Sequence, residues 1–211
     1  MTIEAVLFDL HGVMTSSPWA ALASVGEGTG ASQDEVLAVM LGDYSLDGDH
    51  PWHRLERGEI GMGEYGVAVT ALASAAGLSL DFGRLRGFND QVVVNAEMVE
   101  RARSLRASGV LTALVTNNIR EMAAGWRSLL AADGLFDVVV DSSSVGVRKP
   151  NPAIFSLTLS RLGGVAPSSA VFLDDAPGNV AGAQVAGLHT ILVTDPVAAL
   201  ASLDALLAGG G

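Results

Sequence analysis

Four apolar segments of the chain lead to polar side chains that can do chemistry. The first segment, AVLFDL, contains Asp9, and His11 follows two positions later. Burying a carboxylate within an apolar segment costs free energy, so an acid at this position is typical of a functional site. The other three segments lead to a hydroxyl and an amide, to a lysine, and to two carboxylates, namely Thr116 and Asn117, Lys149, and Asp174 with Asp175.

These residue types suit the transfer of a phosphoryl group. A carboxylate such as Asp9 can attack phosphorus and form an aspartyl-phosphate that water then hydrolyses. Mg²⁺ prefers hard oxygen ligands, which Asp9 with Asp174 or Asp175 can supply. Lys149 can neutralise Asp9 and the phosphoryl oxygens, and the hydroxyl and amide after the second segment can donate hydrogen bonds to those oxygens.

The polar side chains meet if the apolar segments are parallel strands of one sheet. Five segments are continuous and rich in β-branched residues, as parallel strands buried on both faces are; they cover residues 3–8, 110–115, 136–140, 170–173 and 190–193. Helical patterns lie between them, at residues 96–107, 152–162, 179–186 and 196–207. This alternation predicts an α/β fold, a Rossmann-like doubly wound parallel sheet, which binds ligands beyond the carboxyl ends of its strands.

A long interval separates the first two predicted strands. It is mostly helical, with a capping box at residues 32–35 before an apolar run at 36–41, and a second helix at 65–76. An ordinary crossover between parallel strands needs only about a dozen residues. We therefore predict a core domain of residues 1–15 and 91–211, with a helical cap subdomain of residues 16–90 inserted into it.

Composition narrows the function classes. The net charge of −11 and the sequence pI of about 4.6 describe a surface that repels phosphate backbones, which argues against nucleic acid as a partner. The chain has no cysteine, which excludes disulfides and thiolate metal sites. We see no signal peptide and no apolar stretch of about 18 residues that would span a membrane. We expect a cytoplasmic monomer or homodimer that acts on a small molecule.

The four segments together resemble a known family. FDLHGV, LVTNN, VGVRKPNPAIF and VFLDDAPGNVAGAQVAGLHTILV are similar to the four ordered motifs of the haloacid dehalogenase (HAD) superfamily of aspartate-nucleophile hydrolases. Within it, the chain resembles the phosphatase domain at the N-terminus of soluble epoxide hydrolase and related domains in acyl-CoA dehydrogenase fusions. The resemblance covers nearly the whole chain, including RLERGEIGMGEY in the predicted cap. It implies an Mg²⁺-dependent phosphatase of small phosphate monoesters.

The resemblance also implies a role for each motif residue. Asp9 would be the nucleophile and a ligand of Mg²⁺, which the backbone carbonyl of His11 would also bind. Asp175 would bind the metal directly, with Asp174 as its close support. Thr116, Asn117 and Lys149 would bind the phosphate. Lys149 would also hold the nucleophile.

His11 departs from the family pattern, in which a second aspartate two residues after the nucleophile protonates the leaving oxygen and then activates water. Histidine can move a proton near neutral pH because its ordinary pKa is about 6.5. General acid–base catalysis is worth roughly 10²–10⁴-fold in rate, so three interpretations stay open. The protein is a phosphatase in which His11 replaces the aspartate, a non-catalytic or very weakly active binding protein, or a metal-independent carbon–halogen hydrolase, against which the two adjacent acids argue.

Several other residues have a structural and a functional interpretation. His50 and His53 lie at a spacing that suits a metal, but they lack a third ligand nearby, so we expect them at the surface of the cap or at its substrate-facing rim. Trp19, Trp52 and Tyr65 either line a substrate pocket or pack the cap helices, and we favour packing for each of them. We expect Arg148 at the surface or rim of the site.

Overall fold

The computed structural model describes residues 2–87, 91–130 and 134–209. Its centre is a five-stranded, all-parallel sheet, as the continuous apolar segments predict. The strands are β1 (Ala5–Phe8), β2 (Leu111–Thr116), β3 (Val138–Asp141), β4 (Ala170–Asp174) and β5 (His189–Leu192). Their order in the sheet is β3-β2-β1-β4-β5, which puts β1 in the middle. The predicted α/β fold with a doubly wound parallel sheet is confirmed.

Ten α-helices lie in the described residues. Four belong to the interval between β1 and β2: α1 (Trp19–Ala23), α2 (Gln33–Leu41), α3 (Pro51–Glu56) and α4 (Met62–Ala75). The other six follow: α5 (Ala96–Ala107), α6 (Ala123–Leu129), α7 (Ser142–Val145), α8 (Pro152–Arg161), α9 (Pro177–Val185) and α10 (Pro196–Ala208). The predicted capping box is present, because Ser32 and Glu35 each accept from the other's backbone N–H.

Alternate side chains of each central strand pack on opposite faces of the sheet. Val6 and Phe8 of β1 lie in one hydrophobic cluster with side chains of α5, α6 and α10. Ala5 and Leu7 lie in the other, with side chains of α8 and α9. Burial on both faces explains why the strands read as unbroken apolar segments.

Helices α1–α4, which we call the inserted helices, have a hydrophobic cluster of their own. It includes Val36, Leu55 and Tyr65, and Ile119 of the segment after β2 packs into it. The chain enters and leaves this region side by side, because Thr15 pairs with Val94 in an antiparallel bridge. This arrangement supports an inserted subdomain. The predicted boundary at residue 90 lies outside the described residues, and the division into core and cap stays a prediction.

Candidate active site

Strand register places the acidic residues of two neighbouring strands side by side. Phe8 of β1 is level with Leu173 of β4, and the N–H of Asp9 donates to the carbonyl of Leu173 at 2.9 Å. Asp9 and Asp174, each one residue further along, therefore lie at the same edge of the sheet. Carboxylate oxygens of Asp9, Asp174 and Asp175 all lie within 4.8 Å of one another.

Lys149 joins two of these carboxylates. Its Nζ lies 2.6 Å from Oδ1 of Asp9 and 2.7 Å from Oδ2 of Asp174. The lysine is fully buried and Asp9 is 7% exposed, so water screens these ion pairs little. Lys149 is the only lysine in the chain. The structure thus places Lys149 against Asp9, and its catalytic and phosphate-binding roles stay predictions.

The two adjacent acids differ in how fully their oxygens are occupied. Asp174 accepts hydrogen bonds from the backbone N–H of Ala176 at 2.8 Å and from Nδ2 of Asn179 at 3.0 and 3.1 Å, in addition to the Lys149 contact. Asp175 accepts from Nε1 of Trp19 at 3.2 Å. Asp174 is thus saturated with donors, whereas Asp175 retains lone pairs that can bind a cation.

Gly12 lets Asp175 approach the first strand. Its φ of +86° lies in the left-handed region that favours glycine, and a Cβ at this position would overlap the Asp175 carboxylate. The glycine of the first motif is therefore a steric requirement of the site as well as part of a turn.

Burial perturbs every titratable group of the cluster. It raises the pKa of Asp9 to about 6 against the opposing Lys149 ammonium. Burial also raises the pKa of Asp174 and of Asp175 to about 6, and the Asp174 charge adds to the shift at Asp175. For Lys149, burial favours the neutral amine, but the charges of Asp174 and Asp9 outweigh it and raise the pKa of the lysine. Carboxylates held apart from water in this way are typical of functional sites.

Asn117 holds the backbone of Lys149. Its Oδ1 accepts from the Lys149 N–H at 2.8 Å, and its Nδ2 donates to the Lys149 carbonyl at 3.0 Å and to the Tyr44 hydroxyl at 3.3 Å. Thr116, the last residue of β2, is buried and donates only weakly, to the Asn117 carbonyl at 3.3 Å. The hydroxyl of Thr116 therefore has one long hydrogen bond to the backbone, whereas both ends of the Asn117 amide are already engaged.

His11 lies beside the carboxylates with one ring nitrogen engaged. Its Nδ1 is 3.0 Å from Oγ1 of Thr15, whose hydroxyl also reaches backbone carbonyls at 3.3 and 3.4 Å. That geometry favours the tautomer with the proton on Nδ1 and leaves Nε2 to exchange a proton. Burial, with the nearby Lys149 charge, lowers the pKa of His11 to about 4.

A small, partly enclosed cavity of about 50 Å³ lies between the sheet edge and the inserted helices. The core contributes Asp9, His11, Asn117, Asp175, Ala176 and Asn179 to its lining. The inserted region contributes Pro18, Trp19, Leu22, Tyr44, Trp52 and Glu56. Trp19 and Trp52 line the cavity and also pack against the hydrophobic cluster of the inserted helices, with the Trp52 ring centroid 5.3 Å from that of Tyr65. The packing that we favoured is therefore present in both, together with the pocket-lining alternative. Tyr65 packs as expected and donates its hydroxyl to the Met40 carbonyl at 3.0 Å.

Arg148 corrects a sequence prediction. We expected it at the surface or rim, but it is fully buried, with Nε 2.7 Å from Oε2 of Glu56, which is 2% exposed. Its guanidinium lies 4.9 Å from the ring centroid of Tyr44, and that hydroxyl donates to Oε1 of Glu56 at 3.2 Å. The expectation was wrong because the compensating carboxylate lies 92 residues away.

Sequence reasoning missed Tyr44, Glu56 and Asn179. A signal existed for Asn179, which follows the acidic pair in LDDAPGN near the start of a helix. Glu56 lies in RLERGEI, and only its position next to Leu55 on a short helix suggested burial. Nothing in the local pattern around Tyr44 indicated a contact with Asn117.

The histidines of the inserted helices have structural partners. Nδ1 of His50 accepts from the Trp52 N–H at 3.2 Å and caps α3, and Nδ1 of His53 accepts from the Gly48 N–H at 3.0 Å. Within the described residues, the metal-compatible acidic and histidine cluster is the one formed by Asp9, Asp174 and Asp175.

A parallel α/β sheet with clustered carboxylates and a buried lysine at its carboxyl edge defines a hydrolase-type site. A family model of haloacid dehalogenase-like hydrolases matches residues 3–187. The chain belongs to this family and is a hydrolase, which confirms the resemblance drawn from the motifs.

Curated relatives include phosphatases and larger fusion proteins. The chain is 35% identical over 211 residues to acyl-CoA dehydrogenase family member 10 of Mus musculus, covering 97% of this chain and 19% of that protein. It is 29% identical over 224 residues to bifunctional epoxide hydrolase 2 of Rattus norvegicus, covering 97% and 39%. The chain therefore spans less than half the length of these relatives. Phosphatase MT3486 of Mycobacterium tuberculosis (strain CDC 1551 / Oshkosh) is 29% identical over 239 residues, covering 100% of both proteins.

Solved structures share the fold. A HAD family enzyme of Bacteroides thetaiotaomicron in complex with magnesium and inorganic phosphate superposes with a TM-score of 0.63 at 19% identity, covering 90% of this chain and 93% of that one. L-2-haloacid dehalogenase of Xanthobacter autotrophicus superposes with a TM-score of 0.59 at 21% identity, covering 90% and 76%. No helix in the described ranges is long and apolar enough to cross a membrane.

Proposed function

We propose that the protein is an Mg²⁺-dependent phosphatase that hydrolyses small phosphate monoesters through an aspartyl-phosphate on Asp9. One observation carries the proposal: three clustered carboxylates have one buried ammonium beside them, which pairs with two of the three, so the group has a formal charge of −2. A divalent cation with hard-ligand preference would neutralise that charge. The donor chemistry of the site therefore fits Mg²⁺.

The contacts divide the ligands in the proposal. Asp9 and Asp175 retain free carboxylate lone pairs, so these two side chains would hold the cation together with the backbone carbonyl of His11. Asp174 would support them from behind, because its oxygens already accept from Lys149, Ala176 and Asn179. When bound, the cation would withdraw charge from the phosphoryl oxygens.

The chain's own residues would carry the two displacements. A carboxylate oxygen of Asp9 attacks phosphorus, the bond from phosphorus to the ester oxygen breaks, and the departing oxygen takes a proton. Water then attacks the phosphoryl group, which releases phosphate and restores Asp9. His11, whose ring lines the cavity, is the candidate that moves both protons through Nε2. As the imidazolium, with a proton on each ring nitrogen, it gives the first proton, and the neutral ring that results accepts the second from water. The lowered pKa of His11 makes the imidazolium the minor form at neutral pH.

Other residues would position the reacting groups. Lys149 neutralises Asp9 and the transferred phosphoryl oxygens, and the Thr116 hydroxyl donates to those oxygens. Phosphate binding by Asn117 stays a prediction, and its contacts also support a role in holding the Lys149 backbone in place. The inserted helices would act as a cap that opens for substrate, because about 50 Å³ is far below the roughly 300–1,000 Å³ of typical ligand pockets.

The relatives support this proposal over carbon–halogen hydrolysis. Phosphatase MT3486 matches over its whole length. The dehalogenase likeness rests on structure at 21% identity, and a metal-independent reaction gives no reason for the Asp9, Asp174 and Asp175 cluster.

Phosphate release from an aryl phosphate, with and without Mg²⁺, tests the proposal. We expect Mg²⁺-dependent release that Asp9→Asn abolishes, while Asp49→Asn, at an exposed carboxylate of the inserted region, leaves it unchanged. Intact-mass spectrometry of acid-quenched protein should show one added phosphoryl group in the wild type and none in Asp9→Asn. Activity that survives Asp9→Asn would refute the nucleophile.

His11 favours a second candidate, a binding protein of the same fold with little or no turnover. Its Nδ1 is tied to Thr15, and it replaces the carboxylic acid that the family motif places there. Under this alternative the natural protein binds phosphate with Mg²⁺ but releases little product, and His11→Asp gains turnover by 10-fold or more, on the order expected for an added general acid. Robust turnover by the natural sequence would dismiss it.

A further inference from the structure

The lining of the small cavity at the sheet edge provides no lysine or arginine for the part of the substrate that leaves with the ester oxygen. Among the described residues that line it, none is Lys or Arg. The residues outside the described ranges contain no Lys or Arg either. The inserted region offers apolar and aromatic side chains together with one carboxylate, that of Glu56.

The two buried cations nearby are already paired. Lys149 contacts Asp9 and Asp174 at 2.6 and 2.7 Å, on the side of the nucleophile. Arg148 contacts Glu56 at 2.7 Å, and Glu56 also accepts from the Tyr44 hydroxyl. The charge of Arg148 is therefore compensated before a ligand enters.

The cavity lining offers hydrogen-bonding groups of both kinds but no positive side chain. Among the described residues, Oδ1 of Asn179 and Nε1 of Trp52 are buried without a hydrogen-bond partner. Glu56 and Asp175 also belong to the lining. Such a wall can bind a polar, uncharged group and supplies no counter-charge to an additional anion.

The approach to the site is equally poor in cations. Two open grooves border Trp19 and Asp175, one along α2 and the start of α9, the other along residues 15–17 and 93–95. Neither has Lys or Arg among its described lining residues, and the first contains Asp34 and Asp43. A polyanionic ligand would meet repulsion along both routes.

We propose that the substrates are phosphate monoesters of uncharged alcohols, and that the site rejects esters with a second anionic group. This inference deepens the proposed phosphatase function and rests on it. A second anion would be desolvated beside acceptor oxygens with no counter-charge, which is costly in the ground state and in the transition state.

Substrate pairs that differ only in CH₂OH against COO⁻ test the inference. We would compare 2-hydroxyethyl phosphate with 2-phosphoglycolate, and glycerol 3-phosphate with 3-phosphoglycerate, in excess Mg²⁺ at pH 8, above the ordinary pKa of histidine. We expect kcat/KM to favour the neutral member of each pair by at least about 100-fold. Equal efficiency, or preference for the anionic member, would overturn the inference.

A binding measurement separates this inference from the proposed reaction. Calorimetric titration of the Mg²⁺-loaded protein with 2-hydroxyethylphosphonate and with phosphonoacetate compares the same two groups without turnover. If neither ester is hydrolysed but the neutral phosphonate binds at least about 10-fold more tightly, the phosphatase function fails and the inference stands. If neither phosphonate binds, or phosphonoacetate binds as well, the inference fails.

Two variants should change the preference in a predictable direction. Glu56→Gln removes a carboxylate charge from the cavity lining and leaves Arg148 behind it with Asp47 at 4.0 Å, so it should reduce the preference at least about 10-fold. Tyr44→Phe, which removes a hydrogen bond from the same carboxylate without changing charge, should preserve it. Leu22→Arg, at a half-buried lining position, places a cation there without breaking the Glu56 pair and should also reduce it, with Leu22→Gln as its uncharged control. An unchanged preference in both charged variants would contradict the inference.

Discussion

The buried ion pair between Arg148 and Glu56 yields a prediction about stability that does not depend on the reaction. Arg148 is fully buried, Glu56 is 2% exposed, and their atoms lie 2.7 Å apart. Arg148→Met would leave the Glu56 carboxylate buried without a counter-charge and the carbonyl of Leu46 without its guanidinium donor. We expect the free energy of unfolding to fall by about 3–5 kcal/mol.

The partner change completes a double-mutant cycle. Glu56→Gln keeps an acceptor but removes the charge, so we expect the free energy of unfolding to fall by about 3 kcal/mol. The double variant has no unpaired charge and should lose less than the sum of the single variants by at least about 1 kcal/mol. Arg103→Met, at an exposed pair with Glu100 whose distance is 2.6 Å, is the matched control and should leave stability unchanged within error.

Urea unfolding at neutral pH, followed by circular dichroism, measures the cycle. Hydrogen exchange of the amides of α3 would show whether the loss is local to the inserted helices or global. The conclusion that the two charges depend on each other would be refuted by either of two results. One is a single variant whose free energy of unfolding falls by less than about 1 kcal/mol. The other is a double variant whose loss equals the sum of the two single losses within about 0.5 kcal/mol.

Three further predictions concern metal, pH and backbone. Mg²⁺ at about 100 times its Kd should stabilise the wild type by about 2.7 kcal/mol, and Asp175→Asn should remove most of this gain in a thermal-shift assay; a full gain in the variant would contradict the ligand assignment. Burial lowers the pKa of His53 to about 4, so the unfolded chain binds the proton more readily than the folded protein. The free energy of unfolding should therefore fall by about 1–2 kcal/mol as the pH falls from 6.5 to 4. In urea unfolding, His53→Asn, which keeps an acceptor, should lack this part of the fall, and a pH profile identical to that of the wild type would contradict the prediction. Gly12→Ala should lower the free energy of unfolding by about 2–4 kcal/mol, because a Cβ there meets Asp175. Gly77→Ala, with a similar positive φ but open space around it, should lower it by about 1–2 kcal/mol in the same urea measurement. Equal losses would show that the Asp175 side chain moves aside without cost.

Much of the fold is readable in the sequence because its signals are local. Five unbroken apolar segments specify strands buried on both faces, and α5 begins and ends where its pattern and Gly109 indicate. Since parallel strands share one carboxyl edge, the residues that follow them converge without knowledge of distant contacts. Asp9, Lys149, Asp174 and Asp175 were predictable for this reason.

Contacts between the inserted region and the sheet edge were not predictable in the same way. The environment of Arg148 depends on Glu56, which is 92 residues away, and a charged side chain is buried only where its partner is also present. The sequence around Asn117 does not distinguish a residue that binds a ligand from one that holds the Lys149 backbone. Only the tertiary structure shows the hydrogen bonds between the Asn117 amide and that backbone.

The sequence by itself determined the α/β fold, the acidic edge of the sheet and its single lysine, because strand patterns and strand-end residues are properties of short segments. The tertiary structure alone decided that Asp174 is saturated while Asp175 is open, that Arg148 is neutralised inside the protein, and that no described cation faces the leaving group. These features depend on which donors and charges meet across distant parts of the chain, and their energies exist only once both partners leave water together.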